Sequence, residues 1–167
     1  MNRGMIKDIY IFSRPVRTGK TTELKDWISH ARRVAGVMMP DVDGTRKLAE
    51  IVSGDIYEFE VREPGEGVVT VGQYHFKEEI FQKGREILLG NHKVPIEWVV
   101  VDEVGPLEIR GGGGFEPAVS ELITDYKAGS RKGKLLLVVR DTVLKEMQEH
   151  YGLEEAMVVN SLQDLAE

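Results

Sequence analysis

Two short motifs in this sequence carry the residue types that phosphate chemistry requires. The first is a Gly-Lys-Thr-Thr tetrapeptide that follows an apolar run and opens a segment with helical periodicity. Unpaired backbone N–H groups at a helix N-terminus, together with the helix dipole, attract anions. The context therefore predicts a phosphate-binding loop of the P-loop type. The predicted nucleotide-binding residues are Pro15, Val16, Arg17, Thr18, Gly19, Lys20, Thr21 and Thr22.

The polar residues of this loop have separate predicted roles. Lys20, a candidate catalytic residue, is expected to reach the β- and γ-phosphates, Thr21 to ligate Mg²⁺, and Thr22 to bond the α-phosphate. The loop departs from the pattern GxxxxGK[ST], because Arg14 stands at its first glycine and Arg17 at a position that is often small. A side chain forced to positive φ costs roughly 1 kcal/mol or more, whereas the guanidinium groups could bind phosphate or lie in solvent. A Gly-Lys-Thr triplet can also arise by chance.

The second motif is an apolar run that ends in two adjacent carboxylates, Asp102 and Glu103. In an open α/β sheet, ligands bind beyond the carboxyl ends of the strands. Asp102 is therefore predicted to hold Mg²⁺ through water, as a Walker B aspartate does. Glu103 is predicted to be the catalytic base that orients or deprotonates the attacking water. A merely solvated strand end is the alternative, which the upstream Gly-Lys-Thr disfavours.

The elements that must position these motifs alternate along the chain. Apolar β-rich runs are separated by segments of helical periodicity, which predicts a parallel sheet covered by helices on both faces. Residues 46–71 break this rhythm with short runs separated by Ser-Gly and Pro-Gly-rich turns, which predicts antiparallel hairpins. The predicted strands lie at 9–12, 37–39, 98–101, 135–139 and 157–159, and the predicted helices follow Gly19 and span 77–89, 115–126 and 142–150.

Composition narrows the class of protein. The 167 residues, 41% of them hydrophobic, suit one domain over 1–167. The formal net charge of −6 disfavours generic nucleic-acid binding. The absence of cysteine excludes disulfides and thiolate metal sites and favours a reducing compartment. The first apolar run is too short for a signal peptide or membrane span, so we expect a cytoplasmic protein with no membrane partner.

Beyond the motifs themselves, the chain resembles the small P-loop nucleoside-triphosphatases typified by a thermophile enzyme, with relatives in animals. The resemblance covers nearly the whole chain and implies a three-layer, RecA-like α/β fold, in which helices flank a mainly parallel sheet with an antiparallel β-hairpin insertion. It also implies Mg²⁺-dependent hydrolysis of ATP, GTP and other triphosphates to diphosphate and phosphate. The matching stretches are IFSRPVRTGKTTEL, GVMMPDVDGTRKLAEIVSG, VVVDEVGPLEIRGGGGFEPAVSEL and KLLLVVRDTVLKEM.

Two further residues lie in these matching stretches. Arg140 ends a predicted strand near the place where related enzymes carry a residue that senses or stabilises the γ-phosphate, so it is a third candidate catalytic residue. Pairing with an acid such as Asp141, or a simple strand-end role, is an equal alternative. Glu108 lies close to the Walker B motif, and we interpret it as a solvated loop glutamate rather than a nucleotide contact.

Three functions remain open at this level. The first is a hydrolase of nucleoside triphosphates, with ATP or GTP as substrate and Mg²⁺ as cofactor. The second is a nucleotide-binding switch with very slow turnover, which Arg14 and Arg17 would enforce. The third is a small-molecule or RNA kinase, in which Glu103 activates an acceptor hydroxyl. The preferred base, a protein partner and the oligomeric state do not follow from the sequence.

Overall fold

The protein is described by a computed structural model that covers residues 6–15, 19–31 and 33–165. It contains eleven strands and five α-helices within these residues. The strands are β1 (Ile6–Arg14), β2 (Val34–Met38), β3 (Asp41–Val42), β4 (Thr45–Glu50), β5 (Ile56–Glu58), β6 (Glu60–Val61), β7 (Val68–Val71), β8 (Tyr74–Lys77), β9 (Trp98–Val104), β10 (Lys134–Arg140) and β11 (Ala156–Val159). The helices are α1 (Lys20–His30), α2 (Glu78–Leu89), α3 (Pro106–Gly111), α4 (Ala118–Ala128) and α5 (Leu144–Tyr151), with 3₁₀ turns at Asp141–Val143 and Leu162–Asp164.

The centre of the fold is a parallel sheet in the order β11-β1-β10-β9-β2. All five predicted strands are present, and the prediction of a mainly parallel sheet is confirmed. Because the strands are parallel, their carboxyl ends meet at one edge of the sheet. In register, Arg14 at the end of β1 lies beside Arg140 at the end of β10. This edge therefore collects the residues that follow β1, β2, β9 and β10.

Helices cover both faces of the sheet and complete three layers. Side chains that alternate along the central strands point to opposite faces, so each face has its own apolar core. Ile9 and Ile11 of β1 belong to the core under α2, α4 and α5, whereas Phe12 belongs to the core under α1, where Leu24 is fully buried. Successive apolar residues of β1 thus contribute to the cores on opposite faces of the sheet.

The insertion between β2 and α2 is larger than the sequence predicts. Its first hairpin adds β4 antiparallel to β2 at the edge of the main sheet, with β3 and β5 paired to β4. Its remaining strands form a separate sheet in the order β6-β8-β7. Phe59 packs between the second sheet and α2, since its ring lies 4.8 Å from the rings of both Phe76 of β8 and Phe81 of α2. The antiparallel insertion is confirmed and places β4 beside the carboxyl edge of the sheet.

Some element boundaries differ from the predictions. The helix expected at 115–126 begins at Ala118, because the preceding residues, with Phe115 fully buried, form a turn into the core. The helix expected at 142 begins at Leu144 after a 3₁₀ turn. Helix α3, which no sequence pattern indicated, occupies a stretch interpreted as loop. Among the helices described, none has the length and apolar character needed to cross a membrane.

Candidate functional site

The predicted phosphate loop lies between β1 and α1, at the carboxyl edge of the sheet. Gly19 precedes α1 with a left-handed φ of 82°, a conformation that glycine adopts without strain. No side chain caps this helix start, so its first N–H groups remain available to an anion. Pro15 directly follows β1, whereas Val16, Arg17 and Thr18 lie outside the described residues. The strand before the predicted loop and the helix after it are therefore present.

The side chains at the start of α1 line a polar cleft of about 700 Å³. The Lys20 ammonium donates to the backbone oxygen of Arg14, with Nζ and O 3.2 Å apart. Thr21 and Thr22 line the same cleft, Thr21 half-buried and Thr22 exposed. Lys20 can exchange the carbonyl oxygen of Arg14 for a phosphate oxygen without a change of fold.

The sequence left open whether Arg14 strains the loop backbone or places its guanidinium on phosphate or in solvent, and the structure shows a different arrangement. It is the last residue of β1 and has extended backbone, so the cost of positive φ does not arise. Its Nη1 lies 3.0 Å from Oε1 of Glu23, and its guanidinium lies over the ring of Phe12. The described lining of the cleft does not include Arg14. Its guanidinium, with the side chain 23% exposed, therefore pairs with the first turn of α1.

The two carboxylates of β9 line the same cleft as the first residues of α1. Asp102 is 6% exposed, and its Oδ2 accepts one long hydrogen bond, from the Met39 backbone N–H at 3.4 Å. Burial, and then the negative charge of Glu103, raises the pKa of Asp102 to about 7, while the charges of Arg46 and Lys20 lower it. A nearby cation would stabilise the charged form of this buried carboxylate.

Glu103 lies at an irregularity that aims it into the cleft. The β9–β10 register shifts there, since Val138 pairs with Asp102 but Val139 pairs with Val104. An extra residue of this kind re-aims a side chain that regular alternation would send to the other face of the sheet. Glu103 can therefore share the cleft with its neighbour Asp102.

Two arginines converge on Glu103. Arg140 Nε lies 3.2 Å and Arg46 Nη1 lies 3.8 Å from the same Oε1 atom. Arg140 therefore pairs across strands with the predicted base, in preference to its neighbour Asp141. The described lining of the cleft holds four basic and four acidic side chains: Lys20, Lys25, Arg46 and Arg140, and Asp41, Glu60, Asp102 and Glu103. Such an arrangement can bind a polyanion and a divalent cation side by side.

Sequence reasoning missed Arg46, although a usable signal was present. The preceding Asp43-Gly44 pair forms the tight turn between β3 and β4, with both residues at positive φ (54° and 84°). An Asp-Gly pair is a strong short-range signal of a two-residue hairpin. That hairpin returns the chain along β2 and brings Arg46 to the carboxyl edge. The guanidinium also lies over the ring of Tyr74, which holds it in the cleft.

The interpretation of Glu108 as a solvated loop residue is wrong. It lies in α3 and is 4% exposed, because its Oε1 accepts the N–H of Gly105 and its Oε2 accepts that of Phe115. The glycine run that follows is ordered around it: a Cβ at Gly114 would lie 1.8 Å from Oε2. Burial raises the pKa of Glu108 to about 7. Glu108 thus holds the glycine-rich turn in place.

Comparison with known proteins supports the fold and leaves the family open. No protein-family model matches the sequence, and no curated protein matches it either. The structure is similar to the crystal structure of THEP1 from the hyperthermophile Aquifex aeolicus, with a TM-score of 0.69 at 18% identity. The match covers 95% of this chain and 92% of that one. At this identity the likeness shows the fold alone, which is the P-loop NTPase type.

Proposed function

We propose that this chain binds a nucleoside triphosphate with Mg²⁺ in the polar cleft and hydrolyses it to diphosphate and phosphate. The observation that carries the proposal is that Lys20, at the start of α1, lines the same cleft as Asp102 and Glu103 of β9. A lysine at a helix N-terminus opposite two strand-end acids is the arrangement that triphosphate hydrolysis uses. We further propose membership of the small P-loop nucleoside-triphosphatases, as the matching sequence stretches suggest.

The phosphates are bound by the loop and the first turn of α1. In this proposal Lys20 leaves the Arg14 carbonyl and contacts the β- and γ-phosphates, and Thr22 bonds the α-phosphate. The backbone N–H groups after Gly19 supply further donors. The predicted contacts of Pro15, Val16, Arg17 and Thr18 complete the loop. ATP and GTP are both candidate substrates.

The donor set fits Mg²⁺. Asp102 is a buried carboxylate with a single long hydrogen bond, and Thr21 offers a hydroxyl in the same cleft. Across the described residues no three or more acidic or histidine side chains are placed so that they could hold a metal ion together, so triphosphate oxygens and water would supply the other ligands. That is the usual pattern for Mg²⁺, which takes one or two protein oxygens beside substrate phosphates. When bound, the ion would neutralise phosphate charge.

Glu103 and the two arginines carry the chemical step. The water oxygen forms a bond to the γ-phosphorus as the bond to the bridging oxygen breaks. The water proton passes to the Glu103 carboxylate, and the nucleoside diphosphate leaves with the electron pair. Arg140 and Arg46 both form ion pairs with Glu103 in the structure, and phosphate oxygens are alternative charge-assisted acceptors for them. A bound triphosphate would therefore draw the guanidinium groups toward the γ-phosphate and free the carboxylate to act as a base.

The decisive experiment compares Glu103→Gln with Glu97→Gln. Glu97 is exposed and immediately precedes the same strand at its opposite end, so it is a matched control. We expect Glu103→Gln to bind MgATP and to lose roughly 10²–10⁴-fold in turnover, the range for loss of a general base. The assay is phosphate release from ATP, GTP, CTP and UTP with Mg²⁺ or with a chelator. Turnover equal to that of Glu97→Gln would refute the role of Glu103.

The same assay separates hydrolysis from the switch alternative. A hydrolase releases many equivalents of phosphate per protein molecule, whereas a slow switch releases about one and then stays occupied. Binding without turnover in the parent protein would therefore favour the switch. Failure to bind MgATP at all would refute both.

A further inference from the structure

A second pocket of about 450 Å³ opens beside the phosphate cleft. It lies between the turn that joins β7 to β8 and the helix α3. Its walls are mainly carbon, with four aromatic rings and the side chains of Leu107 and Val71. The rings belong to Tyr74, Phe76, Phe81 and Phe115. We call this space the apolar pocket.

The apolar pocket and the polar cleft share one wall. Glu103, Arg46 and Arg140 line both spaces, together with Met39, Gln73 and Tyr74. The proposed base therefore faces a chamber on the side away from α1. A water molecule occupies about 30 Å³ in the liquid, whereas organic ligands occupy pockets of roughly 300–1,000 Å³. Hydrolysis by itself does not require an aromatic chamber of this size at the base.

Charges are distributed unevenly around the apolar pocket. Arg110 pairs with Glu146 through two nitrogens, and both oxygens of Glu108 accept backbone N–H groups. Hydrogen-bonding capacity toward a ligand is thus concentrated at the shared wall, where two guanidinium groups meet the Glu103 carboxylate. The chamber fits a molecule with a flat apolar body and one polar end that is neutral or singly anionic.

We propose that the apolar pocket binds an aromatic or heterocyclic alcohol, up to the size of a nucleoside, and that Glu103 activates its hydroxyl as a phosphoryl acceptor. This inference rests on the proposed triphosphate site. The acceptor oxygen forms a bond to the γ-phosphorus as the bond to the bridging oxygen breaks. The hydroxyl proton passes to the Glu103 carboxylate, and the nucleoside diphosphate leaves with the electron pair. Water takes the place of the alcohol when the pocket is empty.

The test uses ATP labelled in its γ-phosphate and a fixed panel of alcohols. The panel consists of adenosine, guanosine, cytidine, uridine, pyridoxine and benzyl alcohol. We expect label on at least one panel alcohol as well as on inorganic phosphate. Saturation-transfer NMR without nucleotide measures binding of the same compounds to the apolar pocket.

Two variants test whether the acceptor alcohol binds in the apolar pocket. Val71→Trp fills the pocket from the β7 end, and Leu107→Gln places a polar group in its α3 wall, so each should lower kcat/KM for the acceptor at least about tenfold. If one of them fails to fold, the other decides. Val52→Trp, at an exposed hairpin tip (55% exposed), is the matched control and should retain acceptor transfer.

Each outcome decides a separate point. If the parent protein releases phosphate and no panel compound binds, the acceptor site is refuted and the triphosphatase proposal stands. Binding without label transfer refutes the phosphoryl step, and equal transfer by the pocket variants and Val52→Trp refutes the location. If MgATP neither binds nor turns over, the proposed function fails, and acceptor transfer fails with it. Panel binding that the pocket variants abolish would then support the pocket as a ligand site only.

Discussion

The buried carboxylate of Glu108 allows a quantitative test of the structure that needs no nucleotide. Both of its oxygens accept backbone N–H groups, and the side chain is 4% exposed. Burial raises the pKa of Glu108 from its ordinary 4.5 to about 7, against the opposing effect of these hydrogen bonds. The folded protein therefore holds the proton of Glu108 more tightly than the unfolded chain does.

The sign of the pH dependence follows from this difference in proton binding. Between pH 4.5 and about 7 the folded state binds more protons, so the contribution of Glu108 to the free energy of unfolding falls as pH rises. The contribution is complete below pH 4.5 and is lost as pH passes through about 7. Since one pKa unit corresponds to about 1.4 kcal/mol, the full loss is about 3 kcal/mol.

We predict that Glu108→Gln removes this pH-dependent contribution to the free energy of unfolding, because glutamine does not titrate. The variant's free energy of unfolding, minus that of the parent, should rise by about 3 kcal/mol from about pH 4.5 to about pH 8. Urea unfolding at each pH measures this difference. The cost of placing an amide NH₂ against a backbone N–H shifts the whole curve and leaves its slope unchanged. The titration of Asp102 is common to both proteins and cancels.

The matched control is Glu63→Gln, which removes a carboxylate from an exposed turn before β7. Its difference from the parent is the baseline. A curve for Glu108→Gln that follows this baseline within about 0.5 kcal/mol would show that Glu108 has no raised pKa in the folded protein. The account of α3 and the glycine-rich turn as a structure built around a buried, proton-binding carboxylate would then be wrong.

Three further variants test the nucleotide site. Lys20→Ala should abolish the rise in melting temperature that MgATP produces while the free protein melts as before; an unchanged rise would refute the P-loop assignment. Asp102→Asn should raise the Mg²⁺ concentration for half-maximal phosphate release about 10–100-fold, as loss of a metal-site carboxylate does, and an unaltered Mg²⁺ titration would exclude this role. Arg14→Gly should lower the free energy of unfolding by about 1 kcal/mol, because a partly buried ion pair is lost and glycine enters a strand. Calorimetry with a non-hydrolysable triphosphate should then show an affinity within about threefold of the parent's, whereas a larger loss would mean that Arg14 binds phosphate.

The local sequence pattern was sufficient to predict those features of the protein that depend on a few consecutive residues. The unbroken apolar run at 9–12 predicts a strand of a parallel sheet that is covered on both faces, because side chains of a strand point to opposite sides. The Gly-Lys-Thr segment predicts a helix start with free N–H groups, since this property belongs to a few consecutive residues. The strand-end position of Asp102 and Glu103 likewise follows from the apolar run before them.

Only the tertiary structure decides which distant residues meet. Arg46 and Arg140 reach the same oxygen of Glu103 because the order of strands sets β10 beside β9 and the insertion sets β4 beside β2. Glu108 is buried because backbone N–H groups of Gly105 and of the later Phe115 converge on it. The sequence by itself determined the helix start at Lys20 and the alternating α/β layers, which depend on neighbours in the chain. The charge pairs and the apolar pocket depend on packing between segments far apart in sequence, and no local preference encodes that packing.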